Sequence, residues 1–162
     1  NQKKFSPETL LKMNDAYEEN LCSEISAQWQ ALNRSLLLSK LKKFKLAVIT
    51  NETTRTQICK LRAMDPRSEF FDIVVTSEEV GAEKPNAKIF LELFSRLAVQ
   101  PENCAMIGDH VEADLVPASQ FGVTPIWTTE FLQPKRAEGQ RAKLPKDTVV
   151  ISSLDNILEL IR

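Results

Sequence analysis

The residues with the most chemistry to offer sit in the string GDHVEAD, Gly108 to Asp114, directly after the apolar run Ala105, Met106, Ile107. Such a run reads as a buried parallel strand. Its end delivers Asp109 and Asp114 to a loop at the carboxyl edge of a sheet, where open α/β folds bind their ligands. Two carboxylates so placed suit one shared hard cation. Two other apolar runs also end in polar groups. Leu46 to Ile49 stops at Thr50 and Asn51, a hydroxyl and an amide that hydrogen-bond phosphate oxygens. Ile73 to Val75 leads through a polar loop to Gly81, Glu83, Lys84 and Pro85. The order along the chain is hydroxyl, lysine, paired acids.

The elements that must carry these groups alternate. Ser6 and Pro7 open an amphipathic helical region, with Leu10, Leu11, Met13, Tyr17, Leu21, Ile25 and Trp29 at three- and four-residue spacing and a break expected near Asn20 or Ser23. A second helix is expected over 32–44, with Leu36, Leu37 and Leu41 on its apolar side and Lys40, Lys42, Lys43 and Lys45 near its end. That lysine cluster reads as a solvated face at the negative end of the helix dipole. Strand and helix then alternate: a helix over 53–64, a strand region from Phe70, a helix over 89–97, a strand over 104–107, a helix over 115–121 and a strand over 124–127. Residues 133–147 read as a loop before a last strand, Thr148 to Ile151. Alternation of this kind indicates an α/β fold with a doubly wound parallel sheet and right-handed crossovers.

With these residues in place, the chain resembles the haloacid dehalogenase (HAD) superfamily, specifically its phosphatases with a helical cap inserted after the first strand. LAVITN looks like motif II, EKPNAKIF like motif III and IGDHVEADLVPASQFGV like motif IV. The resemblance covers about residues 30 to 162 and implies a HAD-like Rossmannoid core over 31–162, with 1–30 as the remnant of a cap. It implies that Thr50 and Lys84 act on the transferring phosphoryl group and that Thr50, Asn51 and Lys84 bind substrate. It further implies that Asp109 ligates Mg2+, with Asp114 as ligand or supporting partner. The activity implied is Mg2+-dependent hydrolysis of a small phosphorylated metabolite.

Motif I, an apolar strand ending DxDxT whose first Asp attacks phosphorus, has no convincing copy here. The nearest letters, Val149 to Asn156, put a serine at the nucleophile position, and Asp155 reads better as a helix cap or first-turn acid. In the family that strand lies between those of motifs II and IV, so its absence leaves a gap with unpaired backbone groups. The expectation is therefore a truncated chain, the carboxyl-terminal part of a longer protein and inactive alone. The missing strand position would also admit a homodimer formed by strand donation. Glu52 stands where a glycine is common and is expected to point outward, and His110 reads as an exposed loop residue.

Three other readings compete. A non-catalytic HAD-like binding or regulatory module would keep the scaffold without the nucleophile. A phosphoacceptor receiver domain would place its acids before the hydroxyl and lysine, the reverse of the order here. A dehalogenase needs no magnesium, which the paired acids disfavour. The 162 residues suit one domain, 43% of them hydrophobic, and 21 basic against 22 acidic residues leave no electrostatic footprint for nucleic acid or an anionic membrane. Cys22, Cys59 and Cys104, odd in number and widely spaced, read as small core residues in a reducing, cytoplasmic setting.

Overall fold

The computed structural model describes residues 5–161. Helix α1 (Pro7–Ala31) starts as its sequence directs, with the Ser6 hydroxyl accepting the Thr9 N–H and Pro7 in the first turn. It runs unbroken through Asn20 and Ser23. The break comes instead at Asn33, which adopts a left-handed backbone (φ 51°), a conformation that asparagine tolerates. Helix α2 (Arg34–Leu41) follows and buries Arg34, Leu37, Leu38 and Leu41. Leu36, expected on the apolar side, faces solvent, as do Lys40, Lys42, Lys43 and Lys45.

Strand β1 (Ala47–Thr50), helix α3 (Thr54–Met64) and strand β2 (Ile73–Thr76) form the first βαβ unit. Phe70 and Phe71 lie outside the strand that they were expected to start. The buried Asp65 carboxylate accepts the backbone N–H groups of Glu69, Phe70 and Phe71 at 2.8, 2.9 and 3.3 Å, which holds this segment in a turn. A short helix, α4 (Ser77–Val80), precedes α5 (Ala87–Leu97), then come β3 (Ala105–Gly108), α6 (Val116–Gln120) and β4 (Thr124–Thr128). Pro134–Arg141 is a helix, α7, within the segment read as loop; proline in its first turn is compatible with helix initiation. Strand β5 (Val149–Ile151) and helix α8 (Ile157–Leu160) close the chain. Asp155 sits in the first turn of a 3-10 segment capped by Ser153, as its sequence context indicates.

All strand pairings are parallel, but they form two sheets, β1-β2 and β3-β4-β5. The two sheets share layers on both faces. On one, α5 buries Ile89, Phe90, Leu93, Phe94 and Leu97 against a cluster that takes in Ala47 and Ile49 of β1 and Met106 of β3. On the other, Leu37, Leu38 and Leu41 of α2 pack with Ile126 of β4 and Ile151 of β5, and Leu46, next to β1, joins them. The split therefore runs between β1 and β3. The Cys104 carbonyl accepts the Thr124 N–H, so the alternation along β3 turns the N–H and C=O groups of Ala105 and Ile107 away from β4. Ala105 is exposed and Ile107 is 38% exposed, unusual for parallel-sheet residues, which are normally covered on both faces.

Helix α1 contributes no fully buried residue. It is tied to α3 by Arg55, which pairs with Asp15 and Glu18 at 2.9 and 2.8 Å, and by a Cys22–Cys59 disulfide with Cα atoms 6.2 Å apart. The expectation of three free cysteines is thus corrected: the side-by-side packing of α1 and α3 joins two thiols 37 residues apart, a proximity that linear spacing hides. Only Cys104 is free. Burial, with Glu102 nearby, pushes its thiol above the ordinary range, so it is a poor nucleophile.

Candidate functional site

The polar groups singled out above converge at the carboxyl edge, across the split. The Lys84 ammonium donates to the Ile49 carbonyl at the end of β1 (3.1 Å) and to Asp114 Oδ1, just beyond β3 (2.7 Å). This ion pair is well buried, with side chains 11% and 7% exposed. Asp114 Oδ2 accepts the His110 N–H at 3.2 Å, so both carboxylate oxygens are engaged. The turn that places them, Val111–Leu115, is a wide π-helical turn, capped by His110, whose ring Nδ1 accepts the Ala113 N–H at 3.2 Å. His110 is exposed and its role is local.

Asp114 lies against Gly108 so closely that an added Cβ there would fall 2.6 Å from Oδ2 and 2.7 Å from the Asp114 Cβ. Gly108→Ala must therefore push Asp114 off its Lys84 contact. The expected cost is about 1–3 kcal/mol in denaturant unfolding, with the loss concentrated at this corner of the sheet. A variant as stable as the parent would contradict the packing described.

Thr50 Oγ1 accepts the Glu52 N–H at 3.2 Å, which orients the hydroxyl and leaves its proton available to donate. Glu52 itself turns to Lys60, as its outward expectation requires. Asn51 was expected at the phosphate, but both polar atoms of its amide meet the Lys84 backbone: Nδ2 donates to the Lys84 carbonyl at 3.0 Å, and Oδ1 accepts the Lys84 N–H at 2.7 Å.

Asp109 is exposed, and its carboxylate makes no hydrogen bond among the described residues. Its carbonyl instead accepts Trp127 Nε1 at 3.3 Å and Gln140 Nε2 at 3.1 Å, which fixes the backbone from which the side chain projects. Mg2+ commonly uses one or two carboxylates and keeps several waters. Asp109 fits that demand as a free donor. Asp114 fits it as the adjoining carboxylate held by Lys84. No group of three or more His, Cys, Asp or Glu side chains converges among the described residues, so these two would need further oxygen donors.

Sequence reasoning missed Arg34. It is 2% exposed, its guanidinium pairs with Glu130 and, at 3.3 Å, with Asp155. Glu130 also accepts the Leu154 N–H at 3.2 Å. An arginine directly after Asn33, at the start of a helix, gives no sequence signal of burial. A surface groove of about 600 Å3 between α1 and α3 carries Asp15, Glu18 and Glu19 against one lining cation, Arg62, and so disfavours a phosphate.

Residues 11–122 match the model of the haloacid dehalogenase-like hydrolases. The chain belongs to that family. It is 35% identical over 126 residues to the glyceraldehyde 3-phosphate phosphatase of Methanothermobacter thermautotrophicus, an overlap of 78% of this chain and 54% of the relative. It is 32% identical over 120 residues to the ribulose-1,5-bisphosphate 5-phosphatase of Halopiger xanaduensis, covering 74% and 49%. A HAD phosphatase from Thermococcus onnurineus superposes with a TM-score of 0.64 at 26% identity, over 79% of this chain and 55% of that one. A HAD hydrolase from Bacillus subtilis, solved with magnesium bound, gives 0.63 at 26%, over 77% and 52%. The chain spans about half the length of these relatives. The HAD-like α/β fold expected from the motifs is therefore the fold of this chain. No described helix is long and apolar enough to cross a membrane.

Proposed function

We propose that this chain carries the phosphate-handling half of a Mg2+-dependent phosphomonoester hydrolase acting on a small phosphorylated sugar. The observation that carries the reading is Lys84, poised across the split between β1 and β3 and paired with Asp114. Phosphoryl transfer calls for charge neutralisation and alignment. Lys84 supplies a fixed positive charge, and the Thr50 hydroxyl donates to a phosphate oxygen. Asp109, with Asp114 adjoining it, would hold Mg2+, which when bound neutralises charge on the phosphoryl oxygens. Asp114 keeps Lys84 aimed.

The nucleophilic carboxylate would arrive on a strand between β1 and β3. Support comes from the two facing edges, from the exposure of Ala105 and Ile107, and from the coverage of about half of each relative. An upstream segment of the same protein is the leading source of that strand, and a second copy in a homodimer is the other. Residues 1–30 act as part of a cap in this reading, and 31–162 as the core. The cytoplasmic placement drawn from free thiols loses support, because Cys22 and Cys59 are joined. The alternative, a non-catalytic binding module, is favoured by one observation: the sequence holds no convincing copy of the DxDxT strand end that would carry the nucleophile.

Phosphate release by the native protein purified from its source decides between them. With glyceraldehyde 3-phosphate and related sugar phosphates, release that requires Mg2+ and stops with EDTA is expected. No release from any of these substrates would leave the binding-module reading.

A further inference from the structure

We propose that Asn51 is a positioning residue that fixes Lys84, rather than a phosphate ligand. Its amide closes a two-bond ring with the Lys84 backbone, donating to the carbonyl at 3.0 Å and accepting the N–H at 2.7 Å, across 33 residues of sequence. Two residues earlier in the same strand end, the Ile49 carbonyl accepts the Lys84 ammonium at 3.1 Å. The end of β1 thus braces Lys84 at both ends of its side chain. A lysine stem has four rotatable carbons, so where its ammonium rests depends on how firmly its backbone is held. Among short side chains an amide supplies the donor and the acceptor on two separate atoms, whereas a hydroxyl carries both on one oxygen. Aspartate keeps the acceptor but sets a negative oxygen against the Lys84 carbonyl, and alanine keeps neither.

The consequence is a division of labour. Thr50 and Lys84 face the phosphate, while both polar atoms of the Asn51 amide are engaged with the Lys84 backbone. Its effect on turnover passes through Lys84 and rests on the hydrolase reading above, but the brace itself does not.

The test compares Asn51→Ala and Asn51→Asp with the parent. Hydrogen exchange at the Lys84 amide and the rate of acylation of the Lys84 ε-amine by an N-hydroxysuccinimide acetate are read by mass spectrometry. Thermal unfolding confirms the fold, and kcat and KM are measured on the native protein. Loss of both bonds should raise exchange and acylation at Lys84 by roughly tenfold in Asn51→Ala. Asn51→Asp should keep the amide protected while acylation still rises, and it carries the test if the alanine variant does not fold. In the native protein kcat falls and KM holds. Unchanged Lys84 reactivity in both variants overturns the proposal, as does a raised KM with Lys84 undisturbed, the mark of a direct phosphate ligand. Altered Lys84 reactivity in a protein that releases no phosphate upholds the brace and removes only the hydrolase reading.

Discussion

Lys84→Met is expected to lower the phosphate release proposed for the native protein by roughly 10^2–10^3-fold, the scale on which a preorganised donor to developing phosphoryl charge contributes. The methionine stem fills the same space but brings no charge to the carboxyl edge. The substitution also strands Asp114, which is 7% exposed and has Lys84 as its only cationic partner among the described residues. A buried carboxylate left without its counter-charge costs about 3–5 kcal/mol. Both effects are readable separately: turnover on a sugar phosphate, and the midpoint of urea unfolding. Adding Asp114→Asn to Lys84→Met should recover much of the stability and none of the activity, because the neutral amide needs no counter-charge. Loss of stability that the second substitution fails to relieve would mean that Lys84 holds the fold by packing, not by pairing with Asp114.

The second large effect lies away from the site. Arg34→Met should destabilise the protein by about 3–5 kcal/mol, measured by denaturant unfolding. Its guanidinium, buried beneath the turn that joins α1 to α2, is the counter-charge for Glu130, itself only 12% exposed. Glu130 in turn accepts the Leu154 N–H in the turn after β5, so this one cation ties three chain segments together. Asp155, 61% exposed, contributes on the scale of a surface pair, and Asp155→Asn should cost about 1 kcal/mol or less. Comparable losses at Arg34 and Asp155 would contradict this ranking.

The parts of the molecule written in local patterns are legible in the sequence alone. Apolar runs that stop at Thr50, Thr76 and Gly108 are strands because β-branched and apolar residues in short runs fit a parallel sheet covered on both faces. The alternation of strand and helix placed a helix over 89–97, which is α5 bar its first two residues, and the order of hydroxyl, lysine and acids pointed to the family. What stayed hidden depends on contacts between distant segments. Neither Cys22 nor Cys59 signals its partner, because the pairing follows from the packing of α1 on α3. The turn made by Asp65, the burial of Arg34 and the commitment of Asn51 to Lys84 are likewise set by tertiary neighbours. The helix at Pro134–Arg141 escaped because its charged and glycine-containing sequence lacks an apolar stripe, and it buries no residue.

The division of the sheet is the feature on which the functional account turns. It makes a specific statement about the two amides of β3 that face away from β4. Hydrogen exchange at Ala105 and Ile107, resolved by NMR, tests it directly in the 162-residue chain and in the native protein from its source. The account predicts that both amides exchange readily in the chain, while those of Met106 and Gly108, paired with β4, are protected. In a native protein that supplies the intervening strand, Ala105 and Ile107 should become at least about a hundredfold slower, the protection that burial in a sheet interior confers. Strong protection of Ala105 and Ile107 already in the 162-residue chain would mean that β1 and β3 close on each other, leaving no place for a strand or for the nucleophile that it would carry.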